Sequence, residues 1–336
     1  MKRTVGLIFP LFLLLGCEKP EALYPKPLSP IGLQSQTFAM GETYENQLWF
    51  DFATQKTETN AFGLWHIAFS CDNNPSVILN GGLNASTRVA CFNGVPFEKV
   101  TYDSIASAKW TYDHPSGKKD STAFITPWTQ QGANWIANPK TYVIDLGAQI
   151  KDSSRYVKLR FKDVIQGQGY QFDYGWLNHV NPQKSATLPI NIDKNFVYYN
   201  FTQQAQVDNE PMNRQDWDIV FTTYKESIAD VTGIYYDYVI RGVLINTHKV
   251  EVAQLDQADF ASISLIDANV AKFTKKQNEI GYDWKQYDQS SDQYTMVPKR
   301  VYLLKTNGLI FKMKFVDFYN DQGKKGYPKL AWELLK

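Results

Sequence analysis

Cysteine, histidine and methionine are all scarce in this chain, at 3, 4 and 5 among 336 residues. So few soft donors exclude a cysteine-rich disulfide scaffold and argue against a clustered zinc site. Charge of one sign is missing too: 35 Lys and Arg stand against 34 Asp and Glu, which removes the electrostatic case for nucleic acid or an anionic lipid surface. Beyond the first residues no apolar run reaches the length of a membrane span. There is no metalloprotease helix motif, no phosphate-cradling glycine loop and no Gly-x-Ser-x-Gly elbow, so no catalytic role is expected. Asp216 and Asp218 flank Trp217 on one side of an expected strand, and a solvated sheet face is the better reading of that pair than a hydrolytic site.

What is present begins with a leader. Lys2 and Arg3 precede an uncharged stretch over residues 4–16, and Leu14-Leu15-Gly16-Cys17 follows as a lipobox. At a helical rise of about 1.5 Å per residue, residues 4–16 reach only about 20 Å, short of the roughly 30 Å of bilayer hydrocarbon. Residues 1–16 are therefore expected to be a signal peptide, with Cys17 the lipidated residue and residues 17–36 a proline-containing tether. The lipid is then the only membrane anchor, and the expected location is an outer-membrane lipoprotein facing the periplasm or the cell surface. With Cys17 lipidated, Cys71 and Cys91 remain, each at the end of an apolar alternating segment in a compartment where disulfides persist. A Cys71–Cys91 bridge is expected; the alternative is two buried free thiols.

Aromatics make up 15% of the chain, which favours strands and broad sheet-packing surfaces over helix bundles. Their placement repeats. Trp49-Phe50-Asp51-Phe52, Trp65-His66-Ile67, Pro127-Trp128, Pro139-Lys140, Gly169-Tyr170 and Trp176-Leu177 reappear about 150 residues later, in the same order. The later set is Tyr198-Tyr199-Asn200-Phe201, Trp217-Asp218-Ile219, Asp283-Trp284, Pro298-Lys299, Gly326-Tyr327 and Trp332-Glu333-Leu334. This spacing predicts two tandem all-β domains over residues 37–177 and 195–336, joined by a linker over 178–194 that carries Pro182 and Pro189. Thr306-Asn307-Gly308-Leu309 predicts a tight hairpin, because Asn-Gly supplies the positive φ angles of a type I′ turn. Residues 256–275 carry Asp256, Asp259, Ser262, Ser264 and Asp267, which break the apolar stripe and leave room for one or two short helical turns.

Over roughly residues 195–336 these motifs resemble the HmuY-like haem-binding lipoproteins. The resemblance rests on Trp217-Asp218-Ile219-Val220-Phe221, Asp283-Trp284, Val301-Tyr302-Leu303-Leu304-Lys305-Thr306-Asn307-Gly308, Phe311-Lys312-Met313-Lys314-Phe315 and the Gly326-Tyr327-Pro328 ending. Residues 45–177 look like a diverged second copy, with His66 where the later one has Asp218. A tandem chain departs from the single domain usual in that family. The resemblance implies antiparallel β domains and extracytoplasmic capture of haem, taken free or from a host haemoprotein and passed to a TonB-dependent outer-membrane receptor.

A porphyrin needs an aromatic-walled cleft and axial donors, and His and Met are the usual ones. The resemblance places a donor pair beyond the Trp-Asp strand, where the later copy offers His248 and Met296, and these are the expected axial ligands. In the first copy Ala137 stands where Met296 does, His66 is expected to be a packed strand residue, His114 falls in the turn-like Asp113-His114-Pro115-Ser116-Gly117, and His179 lies in the linker. A second reading stays open, in which the same fold is a surface adhesion module for glycan or peptide without an iron ligand. Exposed aromatics such as Tyr235-Tyr236-Asp237-Tyr238 suit stacking on sugars.

Overall fold

The structure, a computed structural model, describes residues 32–165, 169–230 and 232–336. The expected signal peptide, Cys17 and most of the expected tether lie outside these residues. The fold is all-β, with every strand pairing antiparallel. Among the described residues two helices of more than one turn accompany the strands, Tyr102–Ala106 and Leu265–Val270. The second falls where short turns were expected and is opened by a capping box, in which Ser264 Oγ accepts from Ile266 N–H and Asp267 takes the Ser264 N–H. The predicted hairpin is also found: Thr306 pairs with Leu309 across Asn307 and Gly308, at φ 47° and 77°. Among the described residues no helix is long and apolar enough to cross a membrane.

Four large sheets build two cores. A six-stranded sheet runs in the order Lys184–Leu188, Tyr170–Trp176, Tyr156–Phe161, Lys140–Asp145, Arg88–Asn93 and Trp110–Thr111. With a smaller sheet, Ala205–Val207, Phe196–Asn200, Ile67–Ser70 and Val77–Leu79, it encloses a core around Phe69, Phe161, Phe172 and Tyr199. A five-stranded sheet runs Gln34–Thr37, Lys325–Leu334, Leu309–Tyr319, Val301–Thr306 and Val250–Leu255. With Tyr235–Ile245, Ile219–Ala229, Asn46–Phe50 and Thr57–Ala61 it encloses a second core around Phe50, Phe221, Phe311 and Trp332.

These pairings do not follow the boundaries 37–177, 178–194 and 195–336. The expected linker contains the Lys184–Leu188 strand, whose Ala186 and Leu188 are buried in the first core. A strand from each part of the chain pairs in the sheet of the other part. Phe50 faces Ile219 and Leu48 faces Phe221, so residues of the early part complete the later sheet. Reciprocally, Tyr199 faces Ile67 and Val197 faces Phe69. The local hydrogen bonds match position by position. Phe52 N–H donates to Asp218 Oδ2 at 2.7 Å, and Phe201 N–H donates to His66 Nδ1 at 3.0 Å. Asp218 N–H meets Phe50 C=O at 2.8 Å, and His66 N–H meets Tyr199 C=O at 2.9 Å. Asn246 and Asn80 each donate a side-chain N–H back to the carbonyl of the tryptophan opening the strand, Trp217 and Trp65.

The cysteine expectation is corrected. Cys71 and Cys91 are free thiols. Cys71 follows the Ile67–Ser70 strand and bonds Asn195 C=O through its N–H, whereas Cys91 lies in a different sheet, opposite Tyr142. Two segments that alternate alike can end on different sheets, and alternation does not record which.

Candidate ligand cavity

Where the two small sheets meet, between the Phe196–Asn200 and Ile219–Ala229 strands, a cavity of about 200 Å³ opens. Its apolar walls come from both halves. Trp49 stands edge-on to Trp217 with ring centroids 4.6 Å apart, backed by Val220 and Leu244, while Trp65 stands edge-on to Tyr198 at 5.2 Å. Trp49, Trp65 and Trp217, from both parts of the chain, thus meet at one seam.

The polar lining is a connected network. Gln47 donates to Asn209 Oδ1 at 2.5 Å and accepts from Thr222 Oγ1 at 3.1 Å; Trp49 Nε1 donates to Asn60 Oδ1 at 3.1 Å, and Asn60 donates to the Asn209 carbonyl at 2.6 Å. Glu210 Oε1 accepts the N–H groups of Asn195 and Phe196 at 2.6 and 2.9 Å. Asn195 donates to Asn246 Oδ1 at 3.1 Å, and Asn246 donates in turn to Trp217 C=O at 2.9 Å. Burial pushes the Glu210 carboxyl up to about 7 against the opposing pull of those backbone donors. Lys225, donating to Ala85 and Thr87 carbonyls, is lowered to about 8, again by burial.

Of the two expected haem ligands, one reaches this cavity. His248 lies exposed at its rim, in the turn after the Tyr235–Ile245 strand, where its N–H is held by Asn246 Oδ1 at 3.2 Å. Partial desolvation and the Arg214 guanidinium lower its pKa, keeping the ring neutral at pH 7. Met296 does not line the cavity. It sits in the Gln293–Met296 strand opposite Lys285 and packs against the second core, so the structure does not bring Met296 and His248 together there. The rim carries a different second histidine, His114. Its loop is pinned by Asp113, whose carboxylate accepts Leu79 and Ala123 N–H at 2.6 Å each, and is fastened to the opposite half by Gln277 N–H to Ser116 C=O at 3.0 Å. His114 Nδ1 accepts from Ser116 N–H at 3.2 Å, leaving Nε2 for another partner.

The remaining candidates have structural posts. His66 is buried, bonded to the Phe201 N–H and lowered to about 4 by desolvation. Asp218 is fully buried, not a solvated face: it accepts from Thr306 Oγ1 at 2.7 Å and lies 3.1 Å from Lys249 Nζ, which also meets Asp51 at 2.9 Å. Among the described residues no group of three His, Cys, Asp or Glu could hold a bare metal ion.

The HmuY protein family model matches residues 193–332. That part of the chain belongs to the HmuY family. Among solved structures, the whole chain is similar to apo PinO from Porphyromonas gingivitis, at 12% identity over 91% of this chain and 99% of that one, TM-score 0.28. It is similar also to the apo HmuY analogue TFO from Tannerella forsythia, at 10% identity over 93% and 100%, TM-score 0.27. No curated protein matches by sequence. The HmuY-family segment supplies His248, Glu210 and Trp217 to the cavity, and residues before it supply His114 and Trp49. Sequence reasoning missed His114 as a rim residue and missed the Asn195–Glu210 pair. The Asp-His-Pro-Ser-Gly string signals a turn and nothing about the opposite half that covers it.

Proposed function

We propose that the protein is a lipid-anchored, non-catalytic porphyrin-binding protein that takes up haem outside the cytoplasm and yields it to an outer-membrane receptor. The observation that carries this reading is the presence of two histidines, His114 and His248, from opposite halves on the rim of one aromatic-walled cavity in an HmuY-family chain. A neutral imidazole is the form that ligates haem iron, and the lowered pKa of His248 supplies it. The cavity suits a plate held by its edge: about 200 Å³ lies below the roughly 300–1,000 Å³ of sites that enclose drug-sized ligands. A porphyrin seated there keeps much of its surface in water, which suits a carrier that must release its cargo.

We also propose that the two halves are copies of one unit with their leading strands exchanged, which is why the cavity draws on both. A haemin titration of the soluble form starting after Cys17, followed by the Soret band in both oxidation states, tests the site. His114→Ala and His248→Ala each abolish the saturable shift, and Met296→Ala leaves it. A shift lost only with Met296→Ala moves the iron to the second core's side and sinks the rim assignment; no shift beyond that of a non-binding control ends the porphyrin reading.

A further inference from the structure

A second pocket, of about 290 Å³, borders the first cavity and shares Phe62, Gly82 and Thr223 with it. Gly82 runs against the Thr223 backbone there, so closely that an added Cβ would stand 2.2 Å from the Thr223 carbonyl oxygen. The polar wall of this pocket comes from one cross-strand pair, Thr223 and Arg241, whose side chains emerge on the same face of the sheet. Arg241 Nη1 donates to Val239 C=O at 3.2 Å, and the guanidinium lies 4.5 Å from the centre of the Tyr44 ring. Among the described residues Arg241 forms no ion pair, and its Nη2 and the Thr223 hydroxyl keep accessible surface without a hydrogen-bond partner. A second cation stands behind it. Lys285 Nζ donates to the Arg241 and Tyr282 carbonyls at 2.8 and 3.3 Å, and burial, then the Arg241 charge, lowers it to about 7. The neighbouring acids are engaged elsewhere: Asp283 holds Arg300 at 2.8 Å, and Glu45 accepts from the Thr43 hydroxyl at 2.6 Å. Two adjacent cations with no carboxylate between them repel one another, and an anion in the pocket relieves that repulsion.

We propose that this pocket binds a small organic carboxylate. The planar fork of a guanidinium matches the two oxygens of a carboxylate, and the Thr223 hydroxyl adds a donor beside it. Phe62, Leu83 and Val239 line the rest of the pocket and receive an apolar body. Tyr44 is held at φ 60°, a backbone conformation that residues with side chains rarely adopt, with its N–H on Gly41 C=O at 3.1 Å. So placed, its ring backs the face of the guanidinium and leaves the edge for a ligand. The volume lies at the lower end of ligand sites, which suits one small acid. A phosphate presents more acceptor oxygens than one fork and one hydroxyl can meet. Neither His114 nor His248 lines this pocket, so the proposal does not depend on haem.

The test is a titration of the soluble form starting after Cys17 with para-fluorobenzoate, read by fluorine NMR, beside its neutral isostere para-fluorobenzamide. The benzoate is expected to saturate at one per chain at millimolar concentrations, and the amide is not. Arg241→Gln removes the charge and is expected to weaken the benzoate at least roughly tenfold, the scale of a charged hydrogen bond. Thr223→Val keeps the shape, removes the hydroxyl and is expected to weaken it roughly fivefold, with far-ultraviolet dichroism unchanged in both variants. His114→Ala is expected to leave benzoate binding intact while removing haemin binding, so the two readings fail separately. Absence of saturable benzoate binding overturns the proposal, as does equal binding of the amide or binding indifferent to both substitutions. Displacement of the benzoate by an equal concentration of inorganic phosphate overturns the assignment to carboxylates.

Discussion

If the leading strands are exchanged, the later half cannot stand without residues 34–62 or a strand that takes their place. Those residues place Phe38, Met40, Leu48, Phe50 and Phe52 in the second core, all buried. At about 1.5–3 kcal/mol for each large apolar side chain, their loss removes roughly 8–15 kcal/mol, as much as the whole stability of an ordinary domain. The same cut strips backbone partners from the inner edge of Ile219–Ala229 and the outer edge of Lys325–Leu334. A fragment spanning residues 211–336 is therefore expected not to fold. A fragment spanning 184–336 retains the Lys184–Leu188 and Phe196–Asn200 strands, and Val197, Tyr199 and Phe201 can occupy the places of Leu48, Phe50 and Phe52, because Tyr199 meets Ile67 in the register in which Phe50 meets Ile219.

Denaturant unfolding followed by the fluorescence of Trp217, Trp284 and Trp332 distinguishes the cases. The longer fragment is expected to show one cooperative transition and the shorter none, with cooperativity restored to the shorter by a peptide of residues 34–62 supplied in trans. A cooperative transition in the 211–336 fragment alone, with a midpoint matching that of the intact chain, would refute the reasoning, since the exchanged strands would then contribute little.

Further outcomes follow from individual residues. Asp218→Ala leaves Lys249, its Nζ 2.9 Å from Asp51, without its second carboxylate and orphans the Phe52 N–H; it is expected to cost about 3–5 kcal/mol in chemical denaturation. The equivalent His66→Ala removes a neutral acceptor and is expected to cost less, about 1–3 kcal/mol for the buried N–H alone. Because Glu210 is raised to about 7 in the fold from 4.5, the native state holds its proton through that window, so stability falls as pH rises between the two values. Glu210→Gln should flatten that part of the stability–pH curve by on the order of 2–3 kcal/mol, and an unchanged curve would show that the carboxyl is ionised throughout. Without reductant, alkylation after unfolding should label both Cys71 and Cys91. In the folded protein Cys71, buried with its thiol pushed up to about 11, should react slowly.

Much of the strand content was legible because a strand's alternation is written locally. Val301–Thr306 and Leu309–Tyr319 carry their own apolar face and their own Asn-Gly turn, and both form as read. The repeated landmarks also occupy like posts: Asp218 and His66 differ in chemistry yet each receives the backbone N–H of a phenylalanine just past the end of a strand. What alternation cannot encode is the partner. An edge of backbone donors and acceptors accepts either copy's leading strand, and when the copies share a register the exchanged and unexchanged pairings use the same local patterns. The Cys71–Cys91 bridge failed for that reason, and the linker and the His248–Met296 pair were expectations of the same kind. Each was a statement about which distant segment lies across a gap, made from residues that record only which way they face.

The exchange and the cavity bear on one another through linkage. The cavity takes Trp49 and His114 from the early half and Glu210, Trp217 and His248 from the later one, so a ligand that touches both sides binds the joined chain and not the separated halves. Such a ligand stabilises the joined state by about 2.7 kcal/mol at a free concentration of 100 times its dissociation constant. Haemin should therefore raise the unfolding midpoint of the intact chain and should not move that of the 184–336 fragment, whose cavity lacks the opposite wall. A fragment protected by haemin as strongly as the whole chain would place the porphyrin within the HmuY-family segment alone, and with it the donor would have to be sought among that segment's own residues, Met296 first.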